Sequence, residues 1–432
     1  MTEIKVDLSK TAGRIKPMHA VGQPPFLGMD FSMCDYLKAA HIPYSRLHDV
    51  GGCYGRGVFV DIPNLFRDFS ADPEDPASYD FAFTDVLITA LMERGIEPFF
   101  RLGVTIENYR AIKAYRIHPP ADHHKWAKVC EGIIRHYTEG WADGFQYSIT
   151  YWEIWNEPDN YEDPEENQMW SGTPEDYFRL YEVASKHLKE KFPHLKIGGY
   201  ASCGFYALTR GDNRFGACSP RYEYFIEFFH QFLSYIREHN CPLDFFSWHS
   251  YSSIEENIIW ADYARKSLDE YGYTETEHTL NEWNCKPNLK GTAKHAALTC
   301  GMMLALQNTS LDSAMFYDAA CGIGPYAGLF DCMTYKPLPS YYSMVAFGEL
   351  YIRGTQAFVG DLPEGVYGCA AVGGDGCLVL ANTTDEALPI SLSFAGGEKI
   401  VEARIIQEGS VWEEYTQTDR LPAASVLFLR LV

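Results

Sequence analysis

Between about residues 17 and 353 the chain alternates two textures. Short strand candidates cover Met18–Gly22, Tyr44–Asp49, Glu97–Val104, Tyr151–Glu157, Lys196–Ala201, Asp244–Tyr251, Thr279–Asn284 and Ser313–Asp318, and several are nearly continuous apolar runs. Runs of that kind suit parallel strands covered on both faces. Longer stretches with helix signals lie between them. Phe81–Arg94 ends at Gly95, a residue suited to the left-handed turn after a helix. Thr173-Pro174-Glu175 gives Asp176–Lys191 a capping Thr and a first-turn Pro. Tyr222–His239, Glu255–Tyr271, Thr292–Gln307 and Ser340–Tyr351 read the same way. Eight strands with intervening helices predict an α/β fold, a (β/α)8 TIM barrel.

After about residue 354 the period drops to two. Val366–Val372, Cys377–Asn382, Pro389–Phe394, Ile400–Gln407, Ser410–Tyr415 and Ser425–Val432 alternate, with Gly and Asp turns between them. That predicts a small antiparallel β-sandwich domain, and Ile4–Leu8 reads as a strand that joins its sheet. The expected division is a barrel over residues 14–353 and an accessory domain over 354–432, with about 1–13 added to it.

Composition narrows the partners. The formal net charge of −22, from 58 acidic and 36 basic residues, argues against nucleic acid or an anionic membrane surface. Aromatics at 15% suit a large core, and also the stacking of sugar faces in a cleft. The N-terminus has no apolar signal core and no run could span a bilayer, so a cytoplasmic protein is expected. The 12 Cys then read as reduced thiols. There is no Cys-x-x-Cys pair and no His-Glu-x-x-His, so no metal site is expected. His123-His124 opens an amphipathic helix and reads as surface. Gly52, Gly55 and Gly57 approach a dinucleotide loop but lack its spacing and a following helix. No cofactor is implied, and a homo-oligomer stays open.

The chemistry sits at two strand ends. Tyr151-Trp152-Glu153-Ile154-Trp155-Asn156-Glu157-Pro158 closes the fourth run, where Pro stops the ladder. His278-Thr279-Leu280-Asn281-Glu282-Trp283-Asn284 closes the seventh. In such a barrel the C-terminal strand ends meet at one mouth. Two carboxylates meeting there, one protonated and one ionised, are what glycosidic bond cleavage needs. Asn156, beside Glu157, reads as the amide that bonds a sugar 2-hydroxyl. Arg46, in an apolar strand, needs a carboxylate partner. His48 shares its face by period two and is a candidate for a sugar hydroxyl. His249 and Tyr251 share a face at the end of strand six, in reach of substrate or of Glu282. Trp155 and Trp283 read as sugar platforms or as packing. Glu153 reads as structural, Asp318 as a sugar ligand, and Lys286 as a solvated loop residue.

These residues resemble the large clan of (β/α)8 retaining glycosidases. Within it the chain is similar to glycoside hydrolase family 39, the β-xylosidase and α-L-iduronidase family. The resemblance rests on Tyr44-Ser45-Arg46-Leu47-His48, Pro98-Phe99-Phe100-Arg101-Leu102-Gly103, Tyr151–Pro158 and Asp244-Phe245-Phe246-Ser247-Trp248-His249-Ser250-Tyr251. It continues through Glu282-Trp283-Asn284, Gly328-Leu329 and Lys336-Pro337. It covers roughly residues 14 to 353, and a trailing β domain is a family trait. One departure is the eighth strand, with Phe316 and Tyr317 where many members carry Trp.

The resemblance implies an exo-acting, retaining hydrolase of a terminal sugar, β-xylosidase-like, with Glu157 as acid/base and Glu282 as nucleophile. It aims Arg46 at Glu282. Rival activities are α-L-arabinosidase, β-glucosidase-like and α-L-iduronidase. The rival outside enzymes is a carbohydrate-binding protein on a retained barrel. The charge on Glu282 is expected to raise the Glu157 pKa, and Arg46 to lower that of Glu282.

Overall fold

The computed structural model describes residues 2–25, 32–50, 59–107, 116–211 and 217–432. Gly52, Gly55 and Gly57 lie outside them. Eight strands close a parallel barrel in chain order. They are β1 (Ala20–Gly22), β2 (Tyr44–Leu47), β3 (Glu97–Leu102), β4 (Tyr151–Ile154), β5 (Lys196–Ser202), β6 (Phe245–Ser250), β7 (Glu277–Trp283) and β8 (Ser313–Phe316). Closure is made by β1 on β8, with Ala20 opposite Met315. Each of the eight strand candidates thus becomes a barrel strand.

The helices begin where the sequence offers caps. Thr173 and Asp176 form a reciprocal capping box on Pro174–Lys191, and Ser253 and Glu256 do the same on Ile254–Glu270. Asp122 caps His123–Thr138 through the amides of His124 and Lys125. His124 on that helix is exposed and His123 partly so.

Inside the barrel the lower layer is apolar, built from Ala20, Phe99, Phe245 and Met315. One layer higher the strands turn polar: Arg46, Glu153, Ser247 and Asn281 are all fully buried. Buried charges persist only when paired and hydrogen-bonded, so this layer is held together as a network. It floors the mouth at the C-terminal strand ends.

The second sheet has nine strands. Besides the N-terminal strand Thr2–Arg14 it holds β9 (Thr355–Gly360), β10 (Val366–Gly373), β11 (Asp375–Asn382), β12 (Leu388–Phe394), β13 (Ile400–Gln407), β14 (Ser410–Glu414), β15 (Arg420–Leu421) and β16 (Ser425–Leu431). Their spatial order is β14-β13-β16-β11-β10-β9, the N-terminal strand, then β12-β15. Pairing is antiparallel except between the N-terminal strand and β12, where Ile4 faces Leu392 in parallel. The alternation seen in the sequence sends β11 residues to two cores. Leu378 and Leu380 enter the sheet's own core with Ile4 and Val6, while Cys377, Val379 and Ala381 join the large core shared with the barrel.

Strands β9 and β15 were not legible in the sequence. Thr355–Gly360 follows a helix across Gly354 and is largely half-buried. What makes it a strand is its distant pairing with the N-terminal strand, Lys5 opposite Gly360. The 11 cysteines among the described residues are free thiols. Among those residues no helix is long and apolar enough to cross a membrane.

Candidate active site

Two local irregularities build the site. The first is the end of β4. Regular pairing stops at Ile154, three residues short of Glu157, because Trp155 (φ 73°) and Glu157 (φ 43°) both adopt left-handed backbone. L-residues rarely take such angles, and sites that hold them often do so for function. Neighbouring strands hold the turn in place: the Trp155 amide donates to the Leu102 carbonyl at 2.8 Å and the Glu157 amide to that of Ala201 at 3.0 Å. The Trp155 indole donates to the Met169 carbonyl at 2.8 Å and its ring meets Trp170 edge-on, so this Trp is packing.

The second irregularity is in β7. Trp248 pairs with Leu280, yet His249 pairs with Glu282, so Asn281 is an extra residue in the ladder. A bulge of this kind re-aims side chains. Strict alternation would send Asn281 and Glu282 to opposite faces. With the bulge, both reach the barrel interior, Asn281 to Glu153 at 2.5 Å and Glu282 to Arg46 at 3.2 Å. The same shift turns Trp283 away. It is fully buried, edge-on to Phe316 at 5.3 Å, and has no face to offer a sugar.

Arg46 is the hub. Its guanidinium donates to Glu153 at 2.8 Å, to Glu282 at 3.2 Å and to the side-chain oxygen of Asn156 at 2.6 Å. Because the Asn156 oxygen must face the guanidinium, its amide N–H groups are turned elsewhere. Glu153 also accepts from Ser247 at 2.6 Å, which makes it a buried counter-charge. Removing one partner of such a network leaves uncompensated buried charge. Arg46→Ala is therefore expected to cost about 3–5 kcal/mol of stability, read from denaturant unfolding. Arg46→Lys should recover only part, since an ammonium lacks the three-way fork.

Above this hub the two carboxylates meet. An oxygen of Glu157, the Nδ1 of His249 and an oxygen of Glu282 lie within 4.8 Å of one another. His249 Nδ1 stands 2.7 Å from Glu157 and 3.6 Å from Glu282. Tyr251 donates its hydroxyl to Glu282. The amide of Asn160 donates to the other Glu157 oxygen at 2.9 Å. The Nε2 of His249 is buried without a partner. Three such donor atoms could in principle hold a metal ion. The Arg46 guanidinium on Glu282 already supplies the positive charge there and would repel one.

The protonation order differs from the sequence expectation. Burial raises Glu157, but the hydrogen bonds and charge of His249, with Asn160, outweigh it and hold the group below its ordinary range. Glu282 is pushed up by burial, with the Glu157 charge adding to it, against the lowering effects of His249, Arg46 and Tyr251. His249 is raised despite its burial, because both carboxylates favour its charged form. The reversal has two sources, the donors on Glu157 and the burial of Glu282. The sequence shows Arg46, but not the two donors that the fold delivers to Glu157.

Around the pair, His48 is enclosed. Its Nδ1 accepts from Arg101 at 3.2 Å and its Nε2 lies 3.2 Å from Asp49, so neither nitrogen is left for a sugar. Asp49, which the sequence did not single out, instead reaches the mouth. It accepts from the Tyr317 hydroxyl at 3.2 Å, and burial, with the Glu282 charge, pushes it up to about 7. Asp318 sits nearby with one buried oxygen unpartnered, and burial pushes it up to about 8. Both carboxyls thus keep their proton well above the ordinary carboxylate range. Asp159, also raised to about 7 by burial, accepts from Ser202 at 2.9 Å and braces the turn behind Glu157. Asp49 closes the second apolar run, and Asp159-Asn160 follow Pro158 directly. Their positions were visible, but not their direction.

The Glycosyl hydrolases family 39 model matches residues 3–284. The chain is 26% identical over 230 residues to a β-xylosidase of Geobacillus stearothermophilus, covering 52% of this chain and 39% of that protein. It is likewise 26% identical over 232 residues to a β-xylosidase of Caldicellulosiruptor saccharolyticus, covering 49% and 42%. The matches thus span about two fifths of the length of these relatives. In fold the chain resembles a glucosidase from Croceicoccus marinus, with a TM-score of 0.79, 20% identity and coverage of 100% and 99%. It also resembles the family 39 enzyme from Xanthomonas axonopodis pv. citri, with a TM-score of 0.69, 15% identity and coverage of 99% and 97%. With the family model matching well over half of its length, the chain belongs to glycosyl hydrolases family 39.

Proposed function

We propose that the protein is a retaining, exo-acting glycoside hydrolase with β-xylosidase-like specificity, in which Glu282 is the nucleophile and Glu157 the acid/base. The observation that carries this reading is the closeness of the two carboxylates. One oxygen of each carboxylate lies within 4.8 Å of the other. Retaining enzymes hold their carboxyls about 5–5.5 Å apart, while inverting ones leave about 6.5–9.5 Å.

Each neighbour has a task in such a double displacement. Glu282, held by Arg46 and Tyr251, presents an oxygen to the anomeric carbon. The proton for the departing oxygen resides on the His249–Glu157 pair, joined at 2.7 Å, and Glu157 delivers it. Once the glycosyl-enzyme has formed, the Glu282 charge is gone, and Glu157 takes a proton from the incoming water. The amide N–H of Asn156, set by Arg46, bonds the 2-hydroxyl, a contact that strengthens in the transition state. Asp318 and Asp49 receive other hydroxyls.

The substrate class follows from the walls. A uronic acid needs a cation for its carboxylate. Asp49 and Asp318 line the mouth, and Lys290 is turned to the carbonyls of Gly322 and Gly324 at 3.2 and 3.4 Å. Among the described residues the walls favour a neutral pentose, and the two β-xylosidase relatives point the same way. A panel of p-nitrophenyl glycosides of xylose, arabinose, glucose, galactose and iduronic acid tests this. The highest kcat/KM is expected on β-xyloside; iduronide as the best substrate, or no turnover at all, would sink it.

His249 sets the pH profile. It lowers Glu157 and Glu282 alike, so removing it raises both. The acidic limb of kcat/KM reports protonation of Glu282 and the basic limb loss of the proton shared by His249 and Glu157. In His249→Ala the acidic limb should therefore move to higher pH, because Glu282 loses a lowering charge. An acidic limb that stayed in place, or moved to lower pH, would contradict the roles assigned.

A further inference from the structure

The aromatic residues that the sequence offered as sugar platforms are spent on packing, and those at the end of strand β8 are engaged as well. Trp155 and Trp283 are buried, and Phe316 lies under Trp283. Tyr317 uses its hydroxyl on Asp49 and accepts from Gln23. A ring standing by the carboxylates with a face left over must come from elsewhere. Tyr326, in the segment between β8 and the helix Pro339–Arg353, is such a ring.

Its seat is built. The Tyr326 carbonyl accepts from the Asp318 amide at 3.0 Å and from the Asn284 side chain at 3.1 Å. The ring packs on Tyr251 at 4.7 Å and on Tyr317 at 6.0 Å, the residues that bond Glu282 and Asp49. The two arms of the segment are clasped by Cys321 against the Asp331 carbonyl at 3.6 Å and by the Asp331 amide on the Lys336 carbonyl at 2.9 Å. Burial raises the phenol, and the charges of Glu282 and Glu157 both add to that, so the ring lies within electrostatic reach of both carboxylates. Yet it stays half-exposed rather than sealed into the core.

We propose that Tyr326 is the residue against which the sugar ring packs beside Glu282, a specificity-determining platform carried by a loop instead of a barrel strand. An aromatic face accepts the C–H side of a neutral pyranose, and burying the two surfaces together adds affinity before and during reaction. The ring is held by its own backbone and by two other tyrosines, so little ordering remains to be done on binding. This inference rests on the glycosidase reading above.

The test is steady-state kinetics on p-nitrophenyl β-xyloside with Tyr326→Ala, Tyr326→Leu and Tyr326→Phe. A face that binds ground and transition states alike shows in KM and not in kcat. Tyr326→Ala and Tyr326→Leu should raise KM by about 10-fold with kcat within about two-fold, while Tyr326→Phe stays near wild type. The Leu variant keeps the apolar bulk, so a loss there cannot be assigned to a void. Melting curves near wild type are expected, since the ring is half-exposed. If Tyr326→Ala or Tyr326→Leu kept the wild-type KM, or if Tyr326→Phe lost as much as Ala, the platform would be refuted while the glycosidase reading stood. A wild-type enzyme inert on every glycoside would instead overturn the function, and this inference with it.

Discussion

Glu282→Ala should lose at least roughly 10⁴-fold in kcat/KM on every glycoside, whatever its leaving group. The reason is geometric. Arg46 and Tyr251 converge on Glu282 and orient it, and no other carboxylate among the described residues shares that position. With it gone, no glycosyl-enzyme forms. The vacated volume should admit azide, which would attack the anomeric carbon from the nucleophile's side and give an inverted glycosyl azide in one step. Full activity in this variant would refute the mechanism.

Glu157→Ala should behave differently. General acid assistance contributes about 10²–10⁴-fold, and most where the leaving group is poor. With an activated aryl glycoside the first step should survive as a burst of phenol, and turnover should then stall, since no base draws the proton from water. Azide needs no base, so it should restore turnover and give the azide with retained configuration, a β-glycosyl azide from a β-glycoside. Swapped stereochemistry between the two variants would exchange the roles of the two carboxylates. The variant also removes the partner of His249 at 2.7 Å, so its pH profile should lose the basic limb.

The barrel was legible because its strands are written locally. Eight short strand segments, several of them apolar runs, bounded by caps such as Thr173 and by Gly95, need no distant partner to be recognised. The carboxylates were legible for the same reason, as each closes such a run. Legibility ends where the geometry depends on neighbours. The extra residue at Asn281 exists only in the register between β6 and β7, and it decides that Glu282 faces inward and Trp283 outward. Strand parity alone could not say so.

The lowering effect of Arg46 on Glu282 was legible, but the protonation of Glu157 was not, for a related reason. Arg46 and Glu282 could be paired from the sequence, but His249 on Glu157 and Asn160 on its other oxygen arise from the turn after Ile154. Two left-handed residues there move Glu157 off the strand and into reach of both donors. Asp49 and Tyr326 went unnoticed because single residues at loop edges carry no period. Strand β9 escaped since its partner lies at the other end of the chain.

The central claim is that reaction passes through a sugar covalently bound to Glu282. A 2-deoxy-2-fluoro-β-xyloside with a good leaving group slows both steps but the second more, so the intermediate accumulates. Mass spectrometry of the inactivated protein, followed by peptide mapping, reads the outcome directly. One fluoroxylosyl group per chain, located on Glu282 and lost slowly on dilution, is predicted. An adduct on any other residue, or turnover to an inverted sugar with no adduct, would contradict the account.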